Sequence, residues 1–191
     1  MKYGCLIGLA IGARATGAAE RLQAVLCSGG GARHIRVVDP RDLHVTLRFL
    51  GHVDEARLLS LGPRLAELAG RYPLGPVVVS TLGAAPTIDR PALVLASIPH
   101  PAPRLCRLHA ALDGMCIESG FAPLPRPWRA HMSLARVEAA IPGGPISDFV
   151  RENHEAHLGE ADISRLILYG RAENTPGGRL LPLAHWALTD V

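Results

Sequence analysis

The feature that most constrains the fold is one order of elements that occurs twice along the chain. A strand-like apolar run, an amphipathic helix and a second strand-like run follow one another over residues 3–50 and again over residues 92–137. Each second run contains a histidine two positions before a hydroxyl residue, in HVTL at residues 44–47 and in HMSL at residues 131–134. Because such repetition is typical of related structural units, the sequence predicts an internal duplication.

The composition fits one folded domain with a sizeable core. Of the 191 residues, 48% are hydrophobic and 19% are charged, which is close to the usual globular mixture and excludes a chain that is disordered throughout. We therefore expect a single bilobal domain over residues 1–191, with approximate halves at 1–85 and 86–191. The net charge of +3 permits an anionic partner, but the dense basic stripe of a duplex-binding protein is missing.

Hydrophobic spacing and turn residues divide the chain into elements. The predicted helices span residues 16–26, with Thr16 as the cap, and 54–70, 101–119 and 145–157. The predicted strands lie at residues 3–11, 34–38, 43–51, 74–82, 92–98, 130–137, 163–169 and 180–188. A loop rich in Gly and Pro at 83–91 separates the halves, and a turn is expected at 174–178.

Cysteine usage and the N-terminus indicate the compartment. The cysteines form no C-x-x-C pair, and each lies in an apolar or helical context that suits a free thiol. The apolar run at residues 5–11 is too short to span a bilayer and lacks a convincing cleavage context, so we interpret it as a buried strand and keep export as the alternative. We expect a reduced, cytoplasmic protein with no membrane partner. The four cysteines are Cys5, Cys27, Cys106 and Cys116.

The two histidine motifs carry the candidate chemistry. Residues i and i+2 of a strand point to the same face, so His44 and Thr46 project together, as do His131 and Ser133. Imidazole titrates near neutrality, so one neutral histidine can accept a proton while a second, protonated one donates a proton. The two hydroxyls can donate hydrogen bonds to a phosphate held between them. Neither a metal nor another cofactor is required.

Two arginines lie on the same predicted faces as the motifs. Regular alternation places Arg48 with His44, and Arg129 with His131, so both arginines are candidate phosphate ligands. The same alternation places Arg136 on the opposite face, unless a bulge intervenes. Trp128 precedes the second motif, where its ring could stack on a nucleobase or simply cover the core.

Three segments resemble one known family. LHVTLRFLGHVDE, residues 43–55, is similar to the first motif of the 2H phosphoesterase superfamily, which is named for paired H-x-[ST]-x motifs. GFAPLPRPWRAHMSLARV, residues 120–137, is similar to the second motif with its lead-in, and LILYGRAENTPGGRLLPLAHWAL, residues 166–188, resembles the C-terminal hairpin. Within the superfamily the likeness is to the RNA 2′,3′-cyclic phosphodiesterases, also called 2′-5′ RNA ligases. The chain departs from the family pattern at Ala130, where proline is common, and at Ser133, where threonine is commoner.

The resemblance implies a fold and an activity. The fold is a bilobal, duplicated α+β architecture, in which two antiparallel sheets face a central cleft and helices lie on the outside. The activity is hydrolysis of a terminal RNA 2′,3′-cyclic phosphate to a 2′-phosphate, with a weak reverse 2′-5′ ligation. Arg136 matches the arginine that ends the family's second motif, so it is a candidate substrate ligand. We expect a monomer that acts on RNA ends or nucleotides carrying a 2′,3′-cyclic phosphate.

Other classes remain open from the sequence. One is a module that binds RNA ends or nucleotides without turnover, although binding alone does not need two histidine–hydroxyl pairs. Another is a 2H enzyme that acts on a small cyclic nucleotide or on ADP-ribose 1″,2″-cyclic phosphate. A histidine-ligated metallohydrolase is disfavoured, because no H-x-x-x-H with an adjacent carboxylate occurs on a predicted helix.

Overall fold

The computed structural model describes residues 2–139, 144–172 and 180–188, apart from the side chains of residues 2, 3 and 172. Nine strands and four α-helices form this part of the chain. The strands are β1 (Lys2–Ala10), β2 (Ile35–Val37), β3 (His44–Asp54), β4 (Val77–Pro86), β5 (Pro91–Ser97), β6 (His131–Val137), β7 (His157–Ala161), β8 (Arg165–Ala172) and β9 (Leu181–Ala187). The helices are α1 (Ala13–Ser28), α2 (Glu55–Arg71), α3 (Pro103–Glu118) and α4 (Pro145–Glu152). The turn predicted at 174–178 lies outside the described residues.

All strand pairs are antiparallel, and the strands follow the order β7-β4-β5-β6-β3-β1-β8-β9, with β2 added beside β6. We call β3-β1-β8-β9 the first lobe, and β7-β4-β5-β6 with β2 the second lobe. The strands of the two lobes pair with each other at one position, between Val45 of β3 and Met132 of β6. The predicted α+β class with antiparallel strands is therefore confirmed, and the two predicted sheets are continuous at this single pair.

The lobes do not follow the predicted division of the chain at residue 85. In the first lobe β1 pairs with β8, and in the second lobe β4 pairs with both β5 and β7. Each lobe thus combines strands from both sequence halves, 1–85 and 86–191. The position of the division itself falls within β4, because Ala85 pairs with Leu93 of β5.

The internal duplication predicted from the sequence is present in the strand pairing. The units β1-α1-β3 and β5-α3-β6 each bring two antiparallel strands side by side. His44 pairs with Ala10, the last residue of β1, and His131 pairs with Ser97, the last residue of β5. The two histidines therefore occupy equivalent positions, at the first residue of the second strand in each unit.

The main core lies between the sheet and the helices. Helix α2 begins after Asp54, whose carboxylate accepts a hydrogen bond from the backbone N–H of Arg57, as expected for a helix cap. The predicted core faces of the two long helices are confirmed, because the residues expected there are buried: Leu58, Leu61, Leu65 and Leu68 in α2, and Leu105, Leu108, Leu112 and Met115 in α3. Within the described residues, no helix is long and apolar enough to cross a membrane.

Several predicted element boundaries differ from the structure, and three of these differences are the most informative. Helix α1 begins at Ala13, and the Thr16 hydroxyl donates to the carbonyl of Gly12 inside the helix instead of capping it. The loop expected at 83–91 shrinks to residues 87–90, because β4 continues to Pro86. The helix expected to reach residue 157 ends at Glu152, and the chain that follows pairs with β4 as β7. In β4, pairing with β5 outweighs the local Gly and Pro signals.

Candidate functional site

The His44 ring is held by two hydrogen bonds of its own segment. Its Nδ1–H donates to the carbonyl of Asp42 at 2.6 Å, since a carbonyl oxygen can only accept. That bond fixes the tautomer, so Nε2 is the acceptor for the Thr46 hydroxyl at 3.0 Å. The imidazole is half-buried at the start of β3. The predicted pairing of His44 with Thr46 on one face is therefore seen directly.

His131 is oriented in the same way. Its Nδ1 lies 2.7 Å from the carbonyl of Arg129, two residues earlier, and donates its hydrogen there. Nε2 is thus the basic nitrogen of the neutral ring, as it is in His44. The Ser133 hydroxyl lies on the same strand, and within the described residues it makes no hydrogen bond to His131.

The two motif strands share one burial pattern. In both HVTLRF and HMSLAR the residues are in turn half-buried, buried, half-buried, buried, buried and exposed. The histidine and the hydroxyl residue of each strand therefore lie on the face opposite the main core. We call this surface, which carries His44, Thr46, His131 and Ser133, the site face.

Electrostatics link the two motifs. Burial lowers the pKa of His44, and the positive charges of His131 and Arg136 lower it further, while the backbone and carboxylate of Asp42 act in the opposite direction. The neutral imidazole is therefore favoured at position 44. Because His131 and Arg136 belong to β6 and His44 to β3, the groups of both lobes act on one another where the lobes join.

Two residues of the first lobe pack around His44. The ring of Tyr169 lies 5.1 Å from the imidazole, centroid to centroid, with the planes 38° apart. Burial raises the pKa of Tyr169 to about 12, and the Asp42 carboxylate adds to this rise, so the phenol stays neutral. On β1, Gly8 leaves room for the imidazole, because a Cβ there would lie 3.1 Å from Cδ2 of His44.

Comparison with known proteins connects this geometry to a family. Residues 11–95 match the model of the LigT like phosphoesterases. The RNA 2′,3′-cyclic phosphodiesterase of Aeropyrum pernix is 28% identical over 134 residues, which cover 70% of this chain and 75% of the relative. The enzyme of the same name from Bacillus subtilis is 32% identical over 108 residues, covering 56% and 58%.

The chain is therefore similar to the LigT like phosphoesterases over residues 11–95. Solved structures agree on the fold. A Thermus thermophilus protein matches with a TM-score of 0.79 at 22% identity, covering 100% of this chain and 99% of its own. Escherichia coli LigT complexed with 3′-AMP matches with a TM-score of 0.73 at 21% identity over the whole of both chains.

A bulge in each motif strand changes which residues reach the site face. The register of β3 against β1 skips Leu47, and the register of β6 against β5 skips Leu134. One extra residue shifts the alternation of side chains, so Arg48 turns to the core and Arg136 turns to the site face. Both placements are the reverse of what regular alternation predicted.

The prediction that Arg48 is a phosphate ligand is wrong. Its side chain is 1% exposed and forms an ion pair with Asp113 of α3 at 2.5 Å. A second guanidinium N–H donates to the carbonyl of Ala122. Arg48 therefore ties β3 to α3 and to the loop before β6, on the side of the sheet away from the histidines.

Trp128 and Arg129 precede the second motif. The indole of Trp128 stacks on His109 with centroids 4.2 Å apart and planes at 10°, and its Nε1–H donates to the carbonyl of Thr46 at 2.9 Å. These contacts favour the covering role of Trp128 over base stacking. Arg129 is exposed, and its backbone carbonyl orients His131. Whether its guanidinium binds phosphate stays a prediction.

Several residues of the site face were not predicted from the sequence. Phe49 pairs with Leu6 on this face and is 62% exposed, which leaves an aromatic ring free to stack on a base. Arg36 and Arg171 reach the same face from β2 and β8. Strand pairing alone shows this placement: the bulge in β3 turns Phe49 to the site face, β2 pairs with β6, and β8 pairs with β1.

Proposed function

We propose that this protein is an RNA 2′,3′-cyclic phosphodiesterase, which hydrolyses a terminal 2′,3′-cyclic phosphate to a 2′-phosphate. The observation that carries the proposal is the matched orientation of two imidazoles. In each, Nδ1–H donates to the carbonyl two residues earlier, so Nε2 remains for chemistry. The named activity of the Aeropyrum pernix and Bacillus subtilis relatives supports RNA ends as the substrate class.

We assign the general base to His44. Burial and the nearby cations lower its pKa, which favours the neutral form needed to accept a proton. Nε2 of His44 takes a proton from water as the water oxygen attacks phosphorus. The bond from phosphorus to the ribose 3′-oxygen breaks, and His131 in its protonated form donates a proton from Nε2 to that oxygen. The products are a 3′-hydroxyl and a 2′-phosphate.

The two hydroxyls hold the terminal phosphate, and a nearby arginine adds positive charge to the site face. The Thr46 hydroxyl, which donates to His44 in the free protein, can instead donate to a non-bridging oxygen, and Ser133 does so from the other lobe. Arg136 supplies a positive charge on the same face. Charge accumulating on the phosphate in the transition state is thereby stabilised without a metal ion.

Related activities follow from the same groups. A weak 2′-5′ ligation would result if the 5′-hydroxyl of a second RNA strand took the place of water. His44 would then accept the proton of that hydroxyl, and His131 would again protonate the departing 3′-oxygen. A 2H enzyme acting on small cyclic nucleotides is the alternative that shares this chemistry.

The state and location of the protein complete the proposal. We infer a monomer located in the cytoplasm. The four cysteines, which form no disulfide within the described residues, support that location, because reducing compartments keep thiols free.

The test is an assay on RNA of defined ends. An oligomer ending in 2′,3′-cyclic phosphate is incubated with the protein in EDTA, and the product is identified by mass and by sensitivity to phosphatase. We expect an added mass of one water and a terminal 2′-monophosphate. A folded protein that binds the oligomer without converting it would favour the binding module. Conversion of 2′,3′-cyclic AMP but not of the oligomer would favour the small-substrate enzyme.

A further inference from the structure

Two arginines of the second lobe stand side by side on the site face. Arg36 of β2 and Arg136 of β6 are direct cross-strand partners, and such partners project to the same side of a sheet. Arg136 is exposed, and Arg36 forms a long, exposed ion pair with Glu138 at 3.6 Å. An exposed ion pair of this length contributes little free energy.

A third arginine reaches the site face from the first lobe. Arg171 of β8 lies two residues after Tyr169, whose ring contacts His44, so both side chains point to the same face. Its partner on β1 is Gly4, which has no side chain to fill the space beside it. The Nε atom of Arg171 is buried and has no hydrogen-bond partner among the described residues.

The three guanidinium groups act on one another across the two lobes. Burial lowers the pKa of Arg171, and the charges of Arg136 and Arg36 lower it further, against the attraction of Asp42. Repulsion among the three guanidinium groups, and the unpaired buried Nε of Arg171, both cost free energy in the free protein. A bound anion would offset that cost.

We propose that Arg36, Arg136 and Arg171 form a second phosphate subsite, which binds the internucleotide phosphate that precedes the terminal nucleotide of the substrate. The inference rests on the proposed function, in which the terminal cyclic phosphate lies between His44 and His131. A subsite for this phosphate favours RNA ends of at least two nucleotides over mononucleoside cyclic phosphates as the substrate.

The chemistry of the subsite suits a phosphodiester. Guanidinium groups donate in pairs to the two non-bridging oxygens of a phosphate, and such charge-assisted bonds are the strong ones. The subsite also lies beside the histidines, because Arg136 follows Ser133 on one strand and Arg171 follows Tyr169 on another. A chain with a phosphate on either side of its last ribose can therefore contact both groups.

The experiment measures binding of product-like ligands, which needs no turnover. Calorimetry in EDTA compares adenylyl-(3′→5′)-adenosine 2′-phosphate with 2′-AMP, and the ratio of their dissociation constants reports the extra phosphate. In Arg171→Met we expect this ratio to fall about tenfold, which is the worth of a charge-assisted hydrogen bond. Arg171→Lys, which keeps the charge without the fork, should recover part of the loss.

The matched control is Arg107→Met, which removes the same charge from an exposed position on α3 and should leave the ratio unchanged. A ratio near one in the wild-type protein, or an unchanged ratio in a folded Arg171→Met variant, would overturn the subsite. If Arg171→Met does not fold, the ratio of dissociation constants in Arg171→Lys is compared with that of the wild type, and an unchanged ratio in the folded Arg171→Lys variant would overturn the subsite. Failure of the cyclic phosphodiesterase assay, with the binding ratio intact, would instead reject the proposed function alone.

Discussion

Gly8 of β1 lies directly against the imidazole of His44. A Cβ at Gly8 would come within 3.1 Å of Cδ2 of His44 and within 3.0 Å of the carbonyl oxygen of Val45. The backbone oxygen cannot move without disturbing the pairing of β1 with β3, so the imidazole of His44 would have to shift away from Gly8. The absence of a side chain at Gly8 therefore helps to set the position of the proposed base.

Gly8→Ala should displace His44 and lower kcat more than it raises KM. A misplacement of about 1 Å at a reacting group can cost about a hundredfold in rate, and we expect a loss between tenfold and that value. Steady-state kinetics on a cyclic phosphate RNA measure it. Gly62→Ala is the control, since a Cβ at Gly62 meets nothing within 4 Å and the exchange favours the helix. Equal activity of both variants would reject a positioning role for Gly8.

Arg48→Met should lower stability and leave substrate binding unaffected. The substitution removes one partner of a buried ion pair with Asp113 and leaves the carbonyl of Ala122 without its donor. The free energy of unfolding should fall by about 3 kcal/mol, as measured by urea denaturation. Arg104→Met, at an exposed position on α3, should change it little. A stable variant with a raised KM would restore Arg48 as a phosphate ligand.

The pH profile should respond to Arg136. His44 acts as the base only when it is neutral, so the rate falls as the pH drops through its pKa, which lies below the ordinary value of 6.5. Arg136→Met removes a positive charge that lowers this pKa, so the acidic limb of kcat/KM should move to higher pH. Arg104→Met should leave the limb in place. A shift confined to the alkaline limb would assign the acid role to His44.

Thr46→Val and Ser133→Ala should weaken phosphate binding, and Ser133→Ala, which removes no hydrogen bond to a histidine, should leave the pH limbs in place. Each deletes one hydroxyl donor, and a hydrogen bond to a charged group is worth about 1.5–3 kcal/mol, so kcat/KM should fall by roughly tenfold to a hundredfold in each variant. Kinetics across the pH range separate this loss from a titration effect. Full activity in the double variant would make both hydroxyls structural.

The sequence predicted the duplicated units and the facing of each histidine with its hydroxyl residue, because both depend on local patterns. The period-2 alternation from His44 to Thr46, and from His131 to Ser133, holds in the structure. It fails two residues later, at Arg48 and Ala135, because the register skips Leu47 in one strand and Leu134 in the other. A bulge is a property of two paired strands, so one strand's sequence could not reveal it.

The remaining misses have the same origin. Arg171 shares the site face because β8 pairs with β1, a contact between residues far apart in the chain. Strand β7 is a short segment, HLGEA, with Gly159 at φ 86°, and its hydrophobic pattern is too weak to separate it from the preceding helix. Long-range strand pairing determines both the face of Arg171 and the formation of β7, and the local sequence does not reveal such pairing.

The central claim is that two histidines, one in each lobe, carry the proton transfers. The most direct measurement is kcat/KM of His44→Ala and His131→Ala on an RNA ending in 2′,3′-cyclic phosphate, in EDTA, with His100→Ala as a control on an exposed loop. We predict that each site variant stays folded and loses about 10² to 10⁴ in turnover, the usual worth of a positioned proton donor or acceptor, while the control keeps wild-type activity. Near-wild-type turnover in either folded site variant would contradict the two-histidine mechanism.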